Sequence, residues 1–351
     1  LSVAGLTWLG DWSDVWQSKL VFTQAQDHYA TQPSAYETDT QVRTWLWQNQ
    51  LKLATGLATV ALERREDALD NTGTTPAHTQ RAQNALALGY AAKWQAHALQ
   101  LNARVDDDSE FGEQATGALA YGYALTPQWR INASLSTGFR APTLYQRFSA
   151  YGLPSLAPET ARNRELGLHY QQKAQRFSLV AYQNDVDNLI TYLGKAAGGV
   201  GCASNFGCYL NTAKATLQGV TVSGAGQWAG VDVTASLDVQ DPVDATVGLP
   251  NSGKRLARRA KTLLKLGAGT QVGLWRLNAD VLLSGDRYDN AANTTRLPGY
   301  GVLNLGMQRA IHAQTDLILK LDNIGNKYYE TASGYATPGR TWFVGLKWTG
   351  R

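Results

Sequence analysis

The strongest constraint in this sequence is an alternation of apolar and polar side chains with a period of two residues. Because successive side chains of a β-strand point to opposite faces, this alternation predicts strands with one apolar face. The clearest example lies near the C-terminus, where one face of the predicted strand 341–348 carries Trp342, Val344, Leu346 and Trp348. An apolar face that includes tryptophan, opposite a face of mixed polarity, is what a strand in contact with lipid requires.

The same alternation recurs along the whole chain. It is most regular over residues 131–135, 231–240 and 275–284, where apolar residues interleave with polar and charged ones. An Arg or Lys on the lipid-facing side of a membrane strand costs about 2–4 kcal/mol at the middle of the bilayer. We therefore expect the charged residues to face a polar lumen. The sequence predicts an all-β fold, a transmembrane antiparallel β-barrel.

Composition excludes several other classes of protein. The 351 residues include 17% charged residues and carry a net charge of +4. The sequence has no apolar run long enough for a membrane helix, which needs about 20 residues. The charge is modest and scattered, so it gives no electrostatic case for binding nucleic acid.

Connections of two lengths alternate along the chain. Tight turns are expected near 11–14, 54–56, 94–96, 126–128, 173–174, 229–230, 272–273 and 312–314. Longer polar loops lie between most of them, over 28–38, 67–80, 141–160, 192–210, 241–253, 286–298 and 328–339. Short periplasmic turns and long outer loops are typical of bacterial outer-membrane barrels, which have an even number of strands. The pattern predicts about seventeen strands. We therefore expect residues 1–351 to form one domain, an incomplete portion of a barrel whose first strands lie upstream.

The two cysteines, Cys202 and Cys208, are close together in the sequence. In an oxidising compartment they would close a small loop, worth roughly 2 kcal/mol on the chain-entropy account. The alternative is a pair of free thiols. A metal site needs further ligands, and no histidine lies nearby in the sequence.

No catalytic constellation is recognisable, so the sequence predicts a protein that is not an enzyme and needs no cofactor. The five histidines are dispersed, and neither a Gly-x-Ser-x-Gly turn nor a phosphate-binding glycine loop occurs. The acidic run 106–110 could bind Ca²⁺ through oxygen ligands, but it lacks the calcium-loop signature, and exposed turn residues are the favoured interpretation. The basic run 254–261 is expected to lie in the lumen or at the rim, with a role in folding, lipopolysaccharide contact or ligand binding.

Tryptophans near the ends of the predicted strands favour interfacial girdles. They are Trp8, Trp12, Trp16, Trp45, Trp47, Trp94, Trp129, Trp228, Trp342 and Trp348. The competing interpretation is the core of a soluble β-sandwich. Polar opposite faces, and strands long enough to cross about 25 Å of hydrocarbon at a tilt, argue against it.

Several segments resemble the TonB-dependent outer-membrane receptors. The middle of the chain matches that family's barrel signature at Gly138-Phe139-Arg140-Ala141-Pro142-Thr143-Leu144, at 153–159 and at 164–167. The segment 322–329 and Pro338-Gly339-Arg340 resemble the final two strands of the family. The resemblance implies a barrel of about 22 strands. It also implies an N-terminal plug, which this chain lacks, and uptake driven by the TonB complex through that plug.

Within this family the chain looks most like cobalamin transporters. The similar segments are 104–112, 182–190, 258–261, 285–289 and 328–335. The resemblance implies a corrinoid ligand gripped by outer loops, and it places candidate substrate contacts at Arg258, Arg259, Tyr288 and Tyr335. Outer-membrane lipid and lipopolysaccharide are the other expected partners.

Two other cargoes and one other class of protein remain open at this point. A ferric siderophore or haem would keep the same fold. Haem receptors of this family usually place a histidine before an Asn-Pro-Asn-Leu motif, whereas residues 143–156 contain no histidine and the motif reads Leu-Pro-Ser-Leu. An outer-membrane adhesin would need no plug, and the upstream sequence would distinguish it from a transporter.

Overall fold

The computed structural model describes residues 1–32, 36–194, 202–248 and 250–350. These residues are mostly β-strand, which confirms the predicted all-β class. The strands of the first half are β1 (Ser2–Ser13), β2 (Trp16–Thr31), β3 (Tyr36–Leu53), β4 (Gly56–Asn71), β5 (His78–Trp94), β6 (His97–Asp108), β7 (Gly112–Ala124), β8 (Trp129–Arg140), β9 (Glu159–Gln172) and β10 (Gln175–Gly194).

The second half continues the pattern, and several of its strands are only two or three residues long. Its strands are β11 (Gly207–Trp228), β12 (Val231–Asp244), β13 (Thr262–Val272), β14 (Trp275–Ser284), β15 (Arg287–Tyr288), β16 (Arg296–Leu297), β17 (Tyr300–His312), β18 (Thr315–Asp322), β19 (Glu330–Ala332), β20 (Tyr335–Ala336) and β21 (Thr341–Trp348).

One 17-stranded sheet accounts for most of the described chain, in agreement with the expected strand number. The pairs β15–β16 and β19–β20 form two separate small sheets within loops. The chain divides into two compact units. The first comprises Leu1–Tyr123, Asn132–Arg164 and Asn184–Lys214, and the second comprises Ala124–Ile131, Glu165–Gln183 and Ala215–Arg351.

In the first unit, the antiparallel register aligns apolar side chains across six neighbouring strands. One continuous row, each member of which is 44–46% exposed, consists of Trp8, Leu20, Trp47, Leu62, Leu86 and Val105. The adjacent row on the opposite face is mostly polar or small and consists of Lys19, Gln48, Ala61, Ala87, Arg104 and Thr116. The first row is thus an exposed apolar face. The competing interpretation of these tryptophans and leucines as a soluble sandwich core is therefore wrong.

The second unit has the same two-faced construction. Its strands β12, β13, β14 and β17 align Ala235, Leu266, Val281 and Leu303 in one row. The neighbouring row on the other face contains Thr234, Gly267, Asp280 and Asn304. The lipid-facing and polar-facing residues predicted from the alternation are separated as expected.

The connections differ in detail from the sequence prediction. Tight turns join β1 to β2, β3 to β4, β5 to β6 and β13 to β14, as predicted. The loops expected over 28–38 and 67–80 are instead shortened, because β2 to β5 extend well into those ranges. Part of the loop expected over 192–210 lies outside the described residues. None of the helices in the described parts of the chain is long and apolar enough to span a membrane.

The one described helix, α1 (Leu144–Phe148), lies in the loop between β8 and β9. Its first turn is fixed by a capping box, in which the Thr143 side chain accepts from the Gln146 backbone N–H and the Gln146 side chain accepts from the Thr143 backbone N–H. Leu144, the first residue of the helix, is buried.

Candidate functional site

Three long loops of the second unit contain the predicted ligand-contacting residues. They join β12 to β13, β14 to β17, and β18 to β21. Two of the loops are stiffened by small hairpins: Tyr288 pairs with Arg296 in one, and Ala332 pairs with Tyr335 in the other. Gly334 has φ +79° in the second hairpin, a backbone conformation that favours glycine.

Asp289 joins all three loops. Its Oδ1 accepts hydrogen bonds from Arg258 Nε at 2.9 Å and from the backbone amide of Ser333 at 3.0 Å. The backbone amide of Arg258 donates to the carbonyl oxygen of Tyr288 at 2.6 Å. Three of the four predicted residues, Arg258, Tyr288 and Tyr335, therefore lie on segments that are tied together through one carboxylate.

A second carboxylate, Asp286, organises the same region. Its Oδ2 lies 3.0 Å from Arg296 Nε and 3.5 Å from Arg255 Nη1. The Arg255 guanidinium also lies over the Tyr288 ring, 4.9 Å from its centroid. Asn293 fixes Arg255 by accepting its backbone N–H and donating to its carbonyl oxygen, both at 2.9 Å.

Both carboxyl groups are held in the charged form. The hydrogen bond from Arg296, together with the charge of Arg255, lowers the pKa of Asp286 despite partial burial. Partial burial acts to raise the pKa of Asp289, but the hydrogen bonds from Arg258 and Ser333 outweigh it, and that pKa is also lowered. The loops therefore present ion pairs whose geometry is fixed at neutral pH.

The fourth predicted residue, Arg259, does not join this cluster. Its exposed side chain influences Tyr182 on β10 electrostatically, and it forms no hydrogen bond or ion pair with any residue in the described part of the chain. Arg258 lies in a turn with φ +61°, and Arg259 follows that turn. Of the two arginines expected to contact the ligand, only Arg258 joins the cluster.

Several side chains remain available to a ligand. The Tyr335 ring is 73% exposed. Arg258 uses Nε for Asp289, and its two Nη groups have no partner among the described residues. Glu330 orders the adjacent hairpin by accepting from the Gly334 amide at 3.1 Å and from the Tyr328 hydroxyl at 2.6 Å. A planar cation and an exposed aromatic ring on stiffened loops can bind a large polar solute.

Sequence reasoning missed the acidic residues that build this cluster. Asp286 and Asp289 lie in the segment 285–289, which stands out in the sequence only for its resemblance to cobalamin transporters. Asp and Asn residues flanking short hairpins are a recognisable loop-ordering signal. The partners of Asp289 could not be deduced, because they lie 31 and 44 residues away in the sequence.

The first unit contains a tyrosine cluster that the sequence did not reveal. Neighbouring rings in it have centroids 5.6–6.4 Å apart, in the spatial order Tyr36, Tyr151, Tyr192, Tyr209 and Tyr145. The disulfide between Cys202 and Cys208 lies next to it in sequence, with Cα atoms 5.4 Å apart. The tyrosines come from four different segments of the chain, so no local pattern links them.

Two residues of the acidic run 106–110 are buried, in contrast to the solvated turn residues expected from the sequence. Asp106 and Asp108 are 4% and 2% exposed, so the expectation of solvated turn residues is wrong for these two. Asp106 pairs with Arg104 at 2.7 Å, and Asp108 Oδ1 accepts the backbone N–H groups of Glu110 and Phe111 at 2.9 and 3.2 Å. Asp108 Oδ2 is buried with no hydrogen-bond partner among the described residues, and the nearest cationic atom given for it is Arg81 Nε at 3.5 Å.

The architecture by itself defines the class of this protein. An antiparallel sheet with one exposed apolar face, tight turns at one end and long structured loops at the other is that of bacterial outer-membrane β-proteins. The profile of the family described as TonB dependent receptor-like, beta-barrel, matches residues 2–324. The chain belongs to this family, and it is an outer-membrane protein.

Similar curated relatives are named as vitamin B12 transporters. The protein BtuB of Photobacterium profundum is 27% identical over 300 residues, which is 85% of this chain and 48% of that protein. BtuB of Vibrio cholerae serotype O1 is 29% identical over 266 residues, which is 73% of this chain and 40% of that protein. The chain thus spans about half the length of the curated relatives it matches.

Solved structures of other members share the fold at lower identity. A mutant of the ferric enterobactin receptor PfeA of Pseudomonas aeruginosa superimposes with a TM-score of 0.79 at 18% identity, covering 99% of this chain and 61% of that one. The siderophore receptor PirA of Acinetobacter baumannii gives 0.78 at 17% identity, covering 99% and 62%. The copper transporter OprC gives 0.78 at 14% identity, covering 99% and 65%. At these identities the likeness shows the fold alone.

Proposed function

We propose that the protein containing this chain is a TonB-dependent transporter that takes up cobalamin or another corrinoid across the outer membrane. The observation that carries the proposal is the sequence relationship to proteins named as vitamin B12 transporters, at 27–29% identity over most of the chain. The solved siderophore receptors resemble it at only 17–18% identity, which favours no cargo.

The three-loop cluster is the proposed site of capture. Cobalamin is a large solute with many amide groups, so it needs hydrogen-bond donors and aromatic surface on a preorganised frame. Arg258 and Tyr335 offer these, and Asp286 and Asp289 hold the frame in place. Ordering the loops before the ligand arrives reduces the entropy lost on binding. The Tyr288 ring packs against the Arg255 guanidinium, and we propose that Tyr288 acts mainly by positioning Arg255.

Transport past the sheet requires energy that these loops cannot supply. We propose that the TonB complex provides it through a plug domain elsewhere in the full-length protein, as the family resemblance implies. The chain has no proposed role in chemistry on the cargo. Its residues bind the solute and form the wall through which it passes.

Binding of cyanocobalamin and of ferric enterobactin to the purified full-length protein tests the cargo. We expect saturable cyanocobalamin binding, weakened about 30-fold by Tyr335→Ala and by Arg258→Gln, since a central contact is worth about 2 kcal/mol. Arg276→Gln is the matched control, because Arg276 is also exposed but lies at the tight-turn end of β14. Tyr335→Phe distinguishes the contribution of the Tyr335 hydroxyl to binding from that of its ring.

Three outcomes would contradict parts of this proposal. If the protein binds ferric enterobactin but does not bind cyanocobalamin, the corrinoid assignment is overturned and a siderophore transporter remains. Cyanocobalamin binding that neither Tyr335→Ala nor Arg258→Gln weakens would place the capture site elsewhere. Uptake by cells that persists after the inner-membrane potential is collapsed would contradict dependence on TonB.

A further inference from the structure

A recess lies in the second unit, near the tight turns that join β7 to β8, β9 to β10 and β11 to β12. Its volume is about 680 Å³. It is lined by residues 124, 126–130, 169–171, 176–178, 223–225 and 234–235. Neither the loop cluster nor the proposed cargo site uses any of these residues. The recess is therefore a separate feature.

The position of three aromatic rings shows which face of the sheet carries the recess. Trp129 packs against Tyr170 and Phe177, with ring centroids 4.9 and 6.5 Å away, so these three side chains share one face. Aromatic clusters near strand ends belong to the membrane interface. Their sequence neighbours Arg130 and His169 fall on the opposite face, as does Arg176, because side chains alternate along a strand.

The recess belongs to the face that carries the arginines. On each of three strands, three consecutive residues line the recess. The outer two belong to the arginine-bearing face, and the middle one belongs to the aromatic face. These triplets are 169–171, 176–178 and 223–225. Ala225 pairs directly with Thr234, which extends the same face onto β12. The recess therefore opens away from lipid, on the polar face.

The positive charge of the recess comes from two arginines. Arg130 and Arg176 line it, and no Asp or Glu is among its lining residues. Neither arginine forms a hydrogen bond or ion pair with another residue of the described chain, and both are exposed. In the loop cluster, by contrast, Arg258 is paired with Asp289 and Arg255 with Asp286. Two unpaired guanidinium groups facing one cavity leave a local excess of positive charge.

Neutral donors complete the lining. His169 Nδ1 and Ser178 Oγ lie 2.9 Å apart, and the hydroxyl-bearing residues Ser223 and Thr234 line the far side. Guanidinium groups present planar donor pairs that match phosphate and carboxylate oxygens. The volume is that of a small-molecule site, large enough for an anionic group together with part of its solute.

We propose that this recess binds an oxyanion, the phosphate or carboxylate group of a solute, through Arg130 and Arg176. Cobalamin carries one phosphodiester, so the recess could hold that group on the side of the sheet nearest the tight turns. This last link rests on the proposed function. Oxyanion binding itself does not, because it follows from the lining residues alone.

Titration of the full-length protein with inorganic phosphate at low ionic strength tests the proposal, since exposed charge interactions are screened by salt. Binding is measured by calorimetry and by ³¹P line broadening, and acetate is the carboxylate probe. We expect the double variant Arg130→Gln/Arg176→Gln to bind phosphate at least about tenfold more weakly. Arg130→Lys, which keeps the charge but loses the planar donor pair, should give an intermediate loss.

Arg276→Gln serves as the control, because it removes one exposed arginine outside the recess. Equal phosphate binding by the double variant and the unsubstituted protein would overturn the proposal, as would an equal loss in Arg276→Gln. Cyanocobalamin binding is measured in parallel on the same variants. If cyanocobalamin fails to bind while phosphate binding still depends on the two arginines, the cargo assignment fails and the oxyanion site stands.

Discussion

Arg81 and Asp67 form a buried ion pair in the first unit, with Arg81 Nη2 2.6 Å from Asp67 Oδ2. The two side chains are 5% and 9% exposed. Arg81 Nη1 also donates to the carbonyl oxygen of Pro142 at 2.6 Å, and its Nε faces Asp108 at 3.5 Å. One guanidinium thus connects β4, β5 and β6 to the loop that carries α1.

Removal of this arginine should be strongly destabilising. Arg81→Gln leaves Asp108 buried without a positive charge and leaves Asp67 paired only with the half-exposed Arg65. Breaking a buried ion pair in this way typically costs about 3–5 kcal/mol. The free energy of unfolding in detergent, measured by chemical denaturation, should fall by that amount. Limited proteolysis should also show earlier cleavage in 143–158, because the tie to Pro142 is lost.

Arg65 supplies the matched control for that prediction. It binds the other oxygen of the same carboxylate, with Nε 2.7 Å from Asp67 Oδ1, but its side chain is 45% exposed. Arg65→Gln should cost less than about 1 kcal/mol, as exposed ion pairs do. Equal losses for the two variants would show that burial does not set the strength of this cluster.

The loop cluster should loosen in acid. The folded pKa values of Asp286 and Asp289 are lower than their ordinary values. Their contribution to stability is therefore fully present above the unfolded-state pKa, about 4, and is lost as pH falls through the folded-state values. Cyanocobalamin affinity should stay constant from about pH 8 to about pH 5 and decline below about pH 4.

Asp289→Asn should reproduce part of the acid effect at neutral pH. The amide keeps an oxygen for the Ser333 N–H but loses the charge that holds Arg258. Hydrogen exchange of the Ser333 amide, corrected for its intrinsic rate, should become several-fold faster, since a charged hydrogen bond is worth about 1.5–3 kcal/mol. Unchanged protection in this variant would mean that the cluster is held by other contacts.

The two faces of β6 should respond differently to the same substitution. Leu101 belongs to the exposed apolar face, whereas its neighbour Gln100 belongs to the polar face. Leu101→Arg should destabilise the folded protein in lipid vesicles by about 2–4 kcal/mol, and Gln100→Arg by much less. The check is urea unfolding in vesicles, and a larger loss for Gln100→Arg would reverse the assignment of the faces.

Removal of the disulfide should act locally. The bond closes a loop with a sequence separation of only 6 residues, and Cys208 is fully buried. The double variant Cys202→Ser/Cys208→Ser should therefore lose roughly 2 kcal/mol or less. Protease cleavage within 202–208 should increase while the circular dichroism of the strands stays the same. A global loss of strand signal would contradict a local role.

The strands, their faces and most of the tight turns could be predicted from the sequence because they depend on neighbouring residues. The alternation around Trp47 and Leu62 places each side chain on one face whatever the rest of the chain does. The turn at 54–55 and the capping box at Thr143 are equally local. The family resemblance also lay in short contiguous segments, and it was confirmed over residues 2–324.

Tertiary structure alone decided which distant side chains meet. Arg258 reaches Asp289 across 31 residues while its neighbour Arg259 makes no such contact with Asp289, and no spacing rule distinguishes the two. The same holds for the five clustered tyrosines, for the burial of Asp108 against Arg81, and for the shared cavity of Arg130 and Arg176. Hydrogen-bonded register fixes each strand against the next, but loops and lumen-facing charges find their partners through space, where sequence separation carries no information.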